Sequence, residues 1–295
     1  MSKPVQLAIG SIVIGVLVLA LKYWAAALTG SVALYSDALE SIVNVVTAVA
    51  ALVAVSLAQR PADAALPYGY HKAEYFSAVV EGVFILVAAL MIFSEAWRAF
   101  ESPAMLTAPV EGLSINAVAS IINAIWCFIL IRAGRRFSSP ALEADGQHLL
   151  TDVVSSAGVI VGLIVAIVTG LEALDALIAV IVGLNILWSG TRLIARSVGG
   201  LMDIAVPKET LETLRELISA NAEGAIEAHD LRTRRAGRMT FIDFHLVVPG
   251  TMSVEAAHAI CDRIEAALKD VAPQSLITIH VEPEDKAKHT GVLVL

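Results

Sequence analysis

Between residues 5 and 195 the chain is a run of six apolar segments, each near or above the roughly 20 residues an α-helix needs to cross a bilayer. They fall at about 5–28, 32–58, 76–100, 111–133, 141–169 and 172–195. Thr29-Gly30-Ser31, the polar loop 59–75, Glu101-Ser102-Pro103, the stretch 135–140 and Gly170 interrupt them. A water-soluble globule could not solvate such a surface, and 57% apolar against 16% charged residues extends that conclusion to the whole chain. The first segment is too long for the core of a signal peptide, so it reads as a span. In a six-helix topology Lys3, Arg60, Lys72, Arg132, Arg135, Arg136, Arg192 and Arg196 share one side. Arg98 lies on the other, with Lys22 placed near the membrane edge. Positive charge marks the cytoplasmic side, so both termini are expected there, in a multi-pass protein of the bacterial inner membrane. A net charge of -8 argues against a nucleic-acid partner. The two cysteines, Cys127 and Cys261, fall in different regions and suggest neither a disulfide framework nor a thiolate metal site.

Two of the apolar segments carry the same pattern of polar groups. The stretch Ala-Asp-Gly-Gln-His-Leu-Leu-Thr-Asp-Val from Ala144 places Asp145, His148 and Asp152 on one helix face by steps of three and four. The stretch Ser-Asp-Ala-Leu-Glu-Ser-Ile-Val-Asn-Val from Ser36 does the same with Asp37, Glu40 and Asn44. Ionisable groups inside a bilayer are costly and by default mark an ion or proton pathway, and a duplicated pattern is hard to ascribe to helix gluing alone. At 1.5 Å per residue, Glu40 lies roughly 13 Å below the outer end of its helix and Asp152 at about that depth on an antiparallel one. Asn44 and His148 then share a level one turn deeper. Glu40, Asn44, His148 and Asp152 would surround one point with two carboxylates, an amide oxygen and an imidazole, a donor set suited to a divalent transition metal. Asp37 and Asp145 could support those ligands, line an access path, or stabilise helix packing.

Beyond about Pro207 the pattern becomes that of a small soluble domain. Helices are expected at 209–222 and 253–268, and strands at 229–235, 240–248 and 275–282. The order αββαβ implies an α+β sandwich of about 80 residues, small enough to gain from dimerisation or metal. Alternation sends Ile242, Phe244, Leu246 and Val248 inward and Asp243 and His245 outward. In the last strand Ile277, Ile279 and Val281 are expected inside, with Thr278, His280 and Glu282 outside. His258 lies on the polar face of the second helix. The expected division is 1–203 for the membrane domain, 204–285 for the cytoplasmic domain and 286–295 for a tail, loose although Val292-Leu293-Val294-Leu295 is apolar.

Five stretches together carry a resemblance over nearly the whole chain. They are residues 36–44, Tyr68-Gly69-Tyr70-His71-Lys72-Ala73-Glu74, residues 144–152, Gly200-Leu201-Met202-Asp203, and Ala228-His229-Asp230-Leu231-Arg232-Thr233-Arg234. The chain resembles the cation diffusion facilitators, close to the bacterial divalent-metal exporters. The resemblance implies a homodimer in the lipid bilayer, with a six-helix membrane domain and a ferredoxin-like, metallochaperone-like cytoplasmic domain. It implies export of cytosolic metal against protons by alternating access. Its transport site falls on Glu40, Asn44, His148 and Asp152. Glu and Asn stand where the family carries Asp or His and then Asp, so the richer oxygen set bears on Mn²⁺, Fe²⁺, Co²⁺ and Cd²⁺ as well as on Zn²⁺, which is placed first because His148 is retained. His229, His245, His258, His280 and Glu282 match the family's cytoplasmic metal site. Lys72 and Asp203 match a charge pair resembling its interlock at the dimer contact. In the family's site between the second and third helices only Asp63 matches, Leu66 and Tyr70 replace His, and His71 is one residue off, so that site is expected to be absent or altered. Two other functions remain open: a membrane metal sensor that does not transport, and an intramembrane metallohydrolase, for which neither an HExxH motif nor an activated nucleophile is present.

Overall fold

A computed structural model describes residues 2–29, 32–101, 109–169, 173–288 and 292–293. The expected breaks at Gly30-Ser31, Ser102-Pro103 and Gly170, and the last two residues of the tail, lie outside them. The chain divides into two compact units, Met1–Val198 and Gly199–Leu295.

Six long helices are described up to residue 201: α1 Lys3–Thr29, α2 Val32–Ala58, α3 Ala73–Glu101, α4 Pro109–Phe137, α5 Pro140–Thr169 and α6 Ala173–Leu201, the last ending three residues past the first unit. Among the described residues four stretches are long and apolar enough to cross a membrane: Lys3–Thr29, Glu40–Ala58, Ala73–Arg98 and Val110–Phe137. Large apolar side chains such as Val13, Trp24, Val53, Leu90, Phe128 and Trp188 lie exposed on the outside, where lipid tails would meet them. Inside, small residues let the helices close: Ala8, Ala51 and Ala141 are fully buried with Leu130 and Leu142.

The break expected at 135–140 contracts to two residues. Ser138, at φ 50°, takes the left-handed position that ends α4. The amide of Ser138 bonds the carbonyl of Arg135 at 3.4 Å and that of Ser139 bonds Gly134 at 2.9 Å, the paired bonds of a Schellman stop. The Ser139 hydroxyl donates to the Glu74 carboxylate at the start of α3, and accepts from the Leu142 amide at 3.5 Å. Two glycines bring α4 and α5 together. A Cβ on Gly134 would stand 2.6 Å from the Glu143 nitrogen, and one on Gly146 would stand 2.7 Å from Ile131 Cγ1. This turn and this close approach set the height and rotation of α5, and with them His148 and Asp152.

The second unit contains α7 Lys208–Asn221, β1 Glu227–Ala236, β2 Met239–Val248, α8 Val254–Val271, β3 Ser275–Pro283, a short 3-10 turn Glu284–Lys286, and β4 Val292–Leu293. The sheet order is β3-β2-β1-β4, with β1 antiparallel to β2 and β3 parallel to β2. α8 is the crossover that a parallel pair requires. Ser253 caps it, its hydroxyl accepting from the Ala256 amide at 3.2 Å. One sheet face supplies Ile242, Phe244 and Leu246 to a core shared with Leu214, Ile218, Ile264 and Leu268. Two expectations change here. Val281 is 39% exposed instead of buried: on this edge strand Ile277 and Ile279 pack against the core and Val281 does not. The tail is not loose throughout: Val292 and Leu293 pair with Ala228 and Glu227 and extend the sheet by a fourth strand.

Candidate metal centres

Three carboxylates meet within the first unit. Oxygens of Asp37 and Glu40 from α2 and Asp152 from α5 lie within 4.8 Å of one another. All three residues are buried. A fourth ionisable group stands among them. Lys22, from α1, is 1% exposed, and its Nζ donates to Asp37 Oδ1 at 3.0 Å, Asp152 Oδ1 at 2.7 Å and Ser156 Oγ at 3.1 Å. Lys22, expected near the membrane edge, has its head group buried among these acids. α1 continues for seven residues past it to Thr29, so it sits about 10 Å inside the helix end. Asp152 is also held from α4: the Asn123 amide donates to its Oδ2. Ser155 donates to Glu40 Oε2 at 3.3 Å, and Ser156 to Asp37 Oδ1 at 2.9 Å.

His148 and Asn44 are 0% and 3% exposed. Neither imidazole nitrogen and neither amide atom has a hydrogen-bond partner. Buried polar atoms are rarely left unpaired, and an imidazole nitrogen and an amide oxygen are both donors that a divalent metal accepts. Asp37 Oδ2 and Glu40 Oε1 are likewise unpartnered. The structure therefore gathers Glu40 and Asp152 with Asp37, which the sequence had placed outside the ligand set. It buries Asn44 and His148 with open lone pairs on the same two helices. Asp145, 1% exposed with Oδ2 unpartnered, stands two turns before Asp152 on α5. Lys22 and Asn123 were missed; an ionisable residue within an apolar segment was the available signal for the first, and a lone Asn gave little for the second.

In the second unit, strand register builds a row of imidazoles. His229 of β1 pairs with His245 of β2, which pairs with His280 of β3. Ring centroids are 5.3 Å apart for the first pair and 5.0 Å for the second, close to the spacing of neighbouring strands. Glu282, two residues beyond His280, faces all three: its carboxylate is 3.3 Å from His229 Nε2, 3.2 Å from His245 Nδ1 and 3.7 Å from His280 Nε2. Both nitrogens of His229 and Nδ1 of His245 are buried without a hydrogen bond, so the donor set fits a divalent metal. Two more acids join the row. Glu227 reaches His229 Nδ1 at 3.7 Å. Asp230 groups with His229 and His245, having entered the left-handed region at φ 55° where β1 bulges. A hydrogen bond from Lys288 at 2.6 Å holds the Asp230 carboxyl below its ordinary range.

His258 does not join this row. It projects from α8, across the sheet from the histidines, with its side chain 73% exposed and Nε2 3.6 Å from Asp262. In the loop before α3, Asp63 is committed to the loop itself. It accepts from the amides of Ala65 and Leu66 at 2.9 and 2.8 Å, and from the Tyr70 hydroxyl at 2.5 Å. The Tyr70 bond leads in holding the Asp63 carboxyl below its usual range. His71 packs beneath Gly69, whose φ of 81° a side chain would strain. Lys72 lies at the end of this loop, its carbonyl accepting from the Tyr75 amide at 3.0 Å. Asp203 meets Arg234 within the second unit at 3.5 Å.

Apolar helices around buried carboxylates, followed by a small α/β domain with its own histidine cluster, define an integral-membrane transporter of cations. Residues 8–202 match the cation efflux transmembrane domain, and residues 206–284 match the cytoplasmic domain of cation efflux proteins. The chain belongs to the cation efflux, or cation diffusion facilitator, family of multi-pass metal transporters, which are not enzymes. It is 44% identical over 268 residues to an uncharacterised transporter of Synechocystis, covering 91% of this chain and 86% of that one. It is 31% identical over 255 residues to the cation-efflux pump FieF of Yersinia pestis, covering 86% and 84%. Among solved structures it is similar to the Zn form of CzrB (47% identity, 29% of this chain and 98% of that one, TM-score 0.28). It is also similar to the metal-bound C-terminal domain of CzcD from Thermotoga maritima (28% identity, 28% and 100%, TM-score 0.25).

Proposed function

We propose that the protein exports divalent transition-metal cations from the cytoplasm in exchange for protons, by alternating access, as a homodimer in the inner membrane with both termini cytoplasmic. The observation that carries this most is the buried cluster of Asp37, Glu40 and Asp152 within 4.8 Å, with His148 and Asn44 buried and unpartnered on the same helices. Anionic oxygens offset part of the cost of holding a dication in the membrane, and an imidazole adds affinity for a transition metal. Zinc is placed first on the strength of His148, and the oxygen-rich remainder admits Mn²⁺, Fe²⁺, Co²⁺ and Cd²⁺. Ligation requires neutral imidazole and ionised carboxylate, so metal and protons compete for the same groups, which is the chemical basis of exchange.

His229, His245, His280 and Glu282 would hold a second, resident metal in the cytoplasmic domain. That ion would supply a link between strands and tie domain stability to cytosolic metal. His258 would contribute only in combination with a second copy of the chain, and the match of residues 206–284 to a dimer-forming family supports such a copy. Lys72 and Asp203 remain proposed as partners at the dimer contact. The test is transport into proteoliposomes, with metal and proton indicators read together at zero membrane potential. Zinc flux that drives a proton counterflux, and that disappears in Asp152→Ala and His148→Ala, is expected. Zinc flux indifferent to a pH gradient, or unchanged in either variant, would sink the proposal.

A further inference from the structure

We propose that Lys22 is a tethered cation that occupies the transport site between metals, so that a metal gains Asp152 only by displacing the lysine head group. The inference rests on the ligand assignment proposed above and goes beyond it, because Lys22 is not a metal ligand and works against the metal.

The ammonium is fully committed. It has three N–H donors and three oxygen acceptors around it, Asp37 Oδ1, Asp152 Oδ1 and Ser156 Oγ, at 3.0, 2.7 and 3.1 Å. Asp152 is engaged on both oxygens, and a cation stands against one of them. Its Oδ1 is taken by Lys22 and its Oδ2 by the Asn123 amide, whereas His148, Asn44 and one oxygen each of Asp37 and Glu40 stand open. The site is thus half ready and half occupied by a cation that belongs to the protein. Charge explains the arrangement. Three carboxylates crowded in a low-dielectric interior repel one another, and a buried ammonium without partners would be equally costly. Each stabilises the other when no metal is present. A dication offers the acids more charge than the ammonium does, and the flexible four-carbon stem allows the head group to withdraw.

The consequence for transport is a return step. An exporter must bring its emptied site back to the cytoplasmic side, and whatever negative charge the returning protons leave on the three clustered carboxylates would oppose that reorientation. With Lys22 bonded to Asp37 and Asp152, one of the three negative charges of the metal-free site is offset by a cation that belongs to the protein. Removing the lysine charge should make the metal bind more tightly while slowing net export.

The experiment uses the full-length protein in nanodiscs, with His245→Ala and His280→Ala present to silence the cytoplasmic row, and zinc affinity read by competition with a chelating indicator. Loss of a charge-assisted bond of this kind corresponds to about 10- to 100-fold in affinity. Lys22→Gln should therefore tighten zinc binding by that factor, Lys22→Arg should not, and net efflux by Lys22→Gln should fall. Zinc binding by Lys22→Gln that is unchanged or weaker overturns the inference. His148→Ala in the same background separates the two proposals: if it leaves binding intact, the ligand assignment itself fails. A measurement on the unsubstituted protein guards against a variant that does not fold. Amine-directed labelling of Lys22, followed by mass spectrometry, should rise when zinc is added, and labelling that zinc leaves unchanged or lowers refutes displacement.

Discussion

Asp152, on α5, reaches two other helices through its two oxygens, receiving Lys22 from α1 and Asn123 from α4. Its substitution by Asn keeps the shape but removes a charge on which the lysine and the proposed metal both depend. Asp152→Asn should lower zinc export by at least about 100-fold, since truncating one partner of a buried charged pair costs on the order of 3–5 kcal/mol; export within a few-fold of wild type would exclude Asp152 as a ligand. Asn44 offers a test of selectivity. Asn44→Asp adds a negative charge at a buried, unpartnered position, so all dications should bind more tightly, with zinc gaining over manganese because a more anionic site tolerates low coordination. An unchanged zinc-to-manganese ratio in competition transport would place Asn44 outside the coordination sphere. These residues were legible in the sequence because polar and ionisable groups stand out inside an apolar segment, and here they recur at helical spacing in two of them. Lys22 was visible for the same reason yet misplaced. A lysine near a helix end ordinarily extends its stem to reach water, and only the packing of α1 against the acids reverses that direction.

The helices and strands were largely recoverable from periodicity, whereas how closely neighbours approach was not. Six apolar segments predict six helices, but nothing in hydropathy says that Gly134 and Gly146 let α4 and α5 touch at backbone distance. Gly134→Ala places its Cβ 2.6 Å from the backbone nitrogen of Glu143, an atom that cannot turn aside. Overpacking of this kind costs about 1–3 kcal/mol. A lower midpoint in thermal unfolding of the detergent-solubilised protein, with weaker zinc binding as α5 shifts, is the expected outcome. A variant as stable and as tight-binding as wild type would mean that the two helices have slack. β4 escaped detection for a different reason. Two residues carry no periodicity, and their strand identity comes entirely from the hydrogen bonds β1 offers at its open edge.

At the scale of the molecule, the unit Gly199–Leu295 has its own core and its own candidate metal row, so metal should stabilise it independently of the membrane helices. Isolated residues from about Pro207 onward are expected to form a dimer whose melting temperature rises on the order of 10 °C at zinc concentrations near 100 times Kd. Replacing His245 and His280 by Ala should abolish the rise, and a full rise in that double variant would reduce the row to a solvated polar face. Here the sequence supplied the face but not the membership. Alternation put His245, His280 and Glu282 outside, yet only the bulge at Asp230 and the far side of α8 decide that Asp230 is in and His258 is out. The row has one more implication, for quality control of assembly. His229, His245 and His280 are brought side by side by pairings between three strands, one antiparallel and one parallel. A one-residue slip of β3 would carry His280 to the core side and bring Ile279 to the surface. If the row holds the proposed ion, it would act as a proofreading device for the fold: a mispaired domain would forfeit the metal, and the population that captured it would be the one whose strands had been threaded correctly.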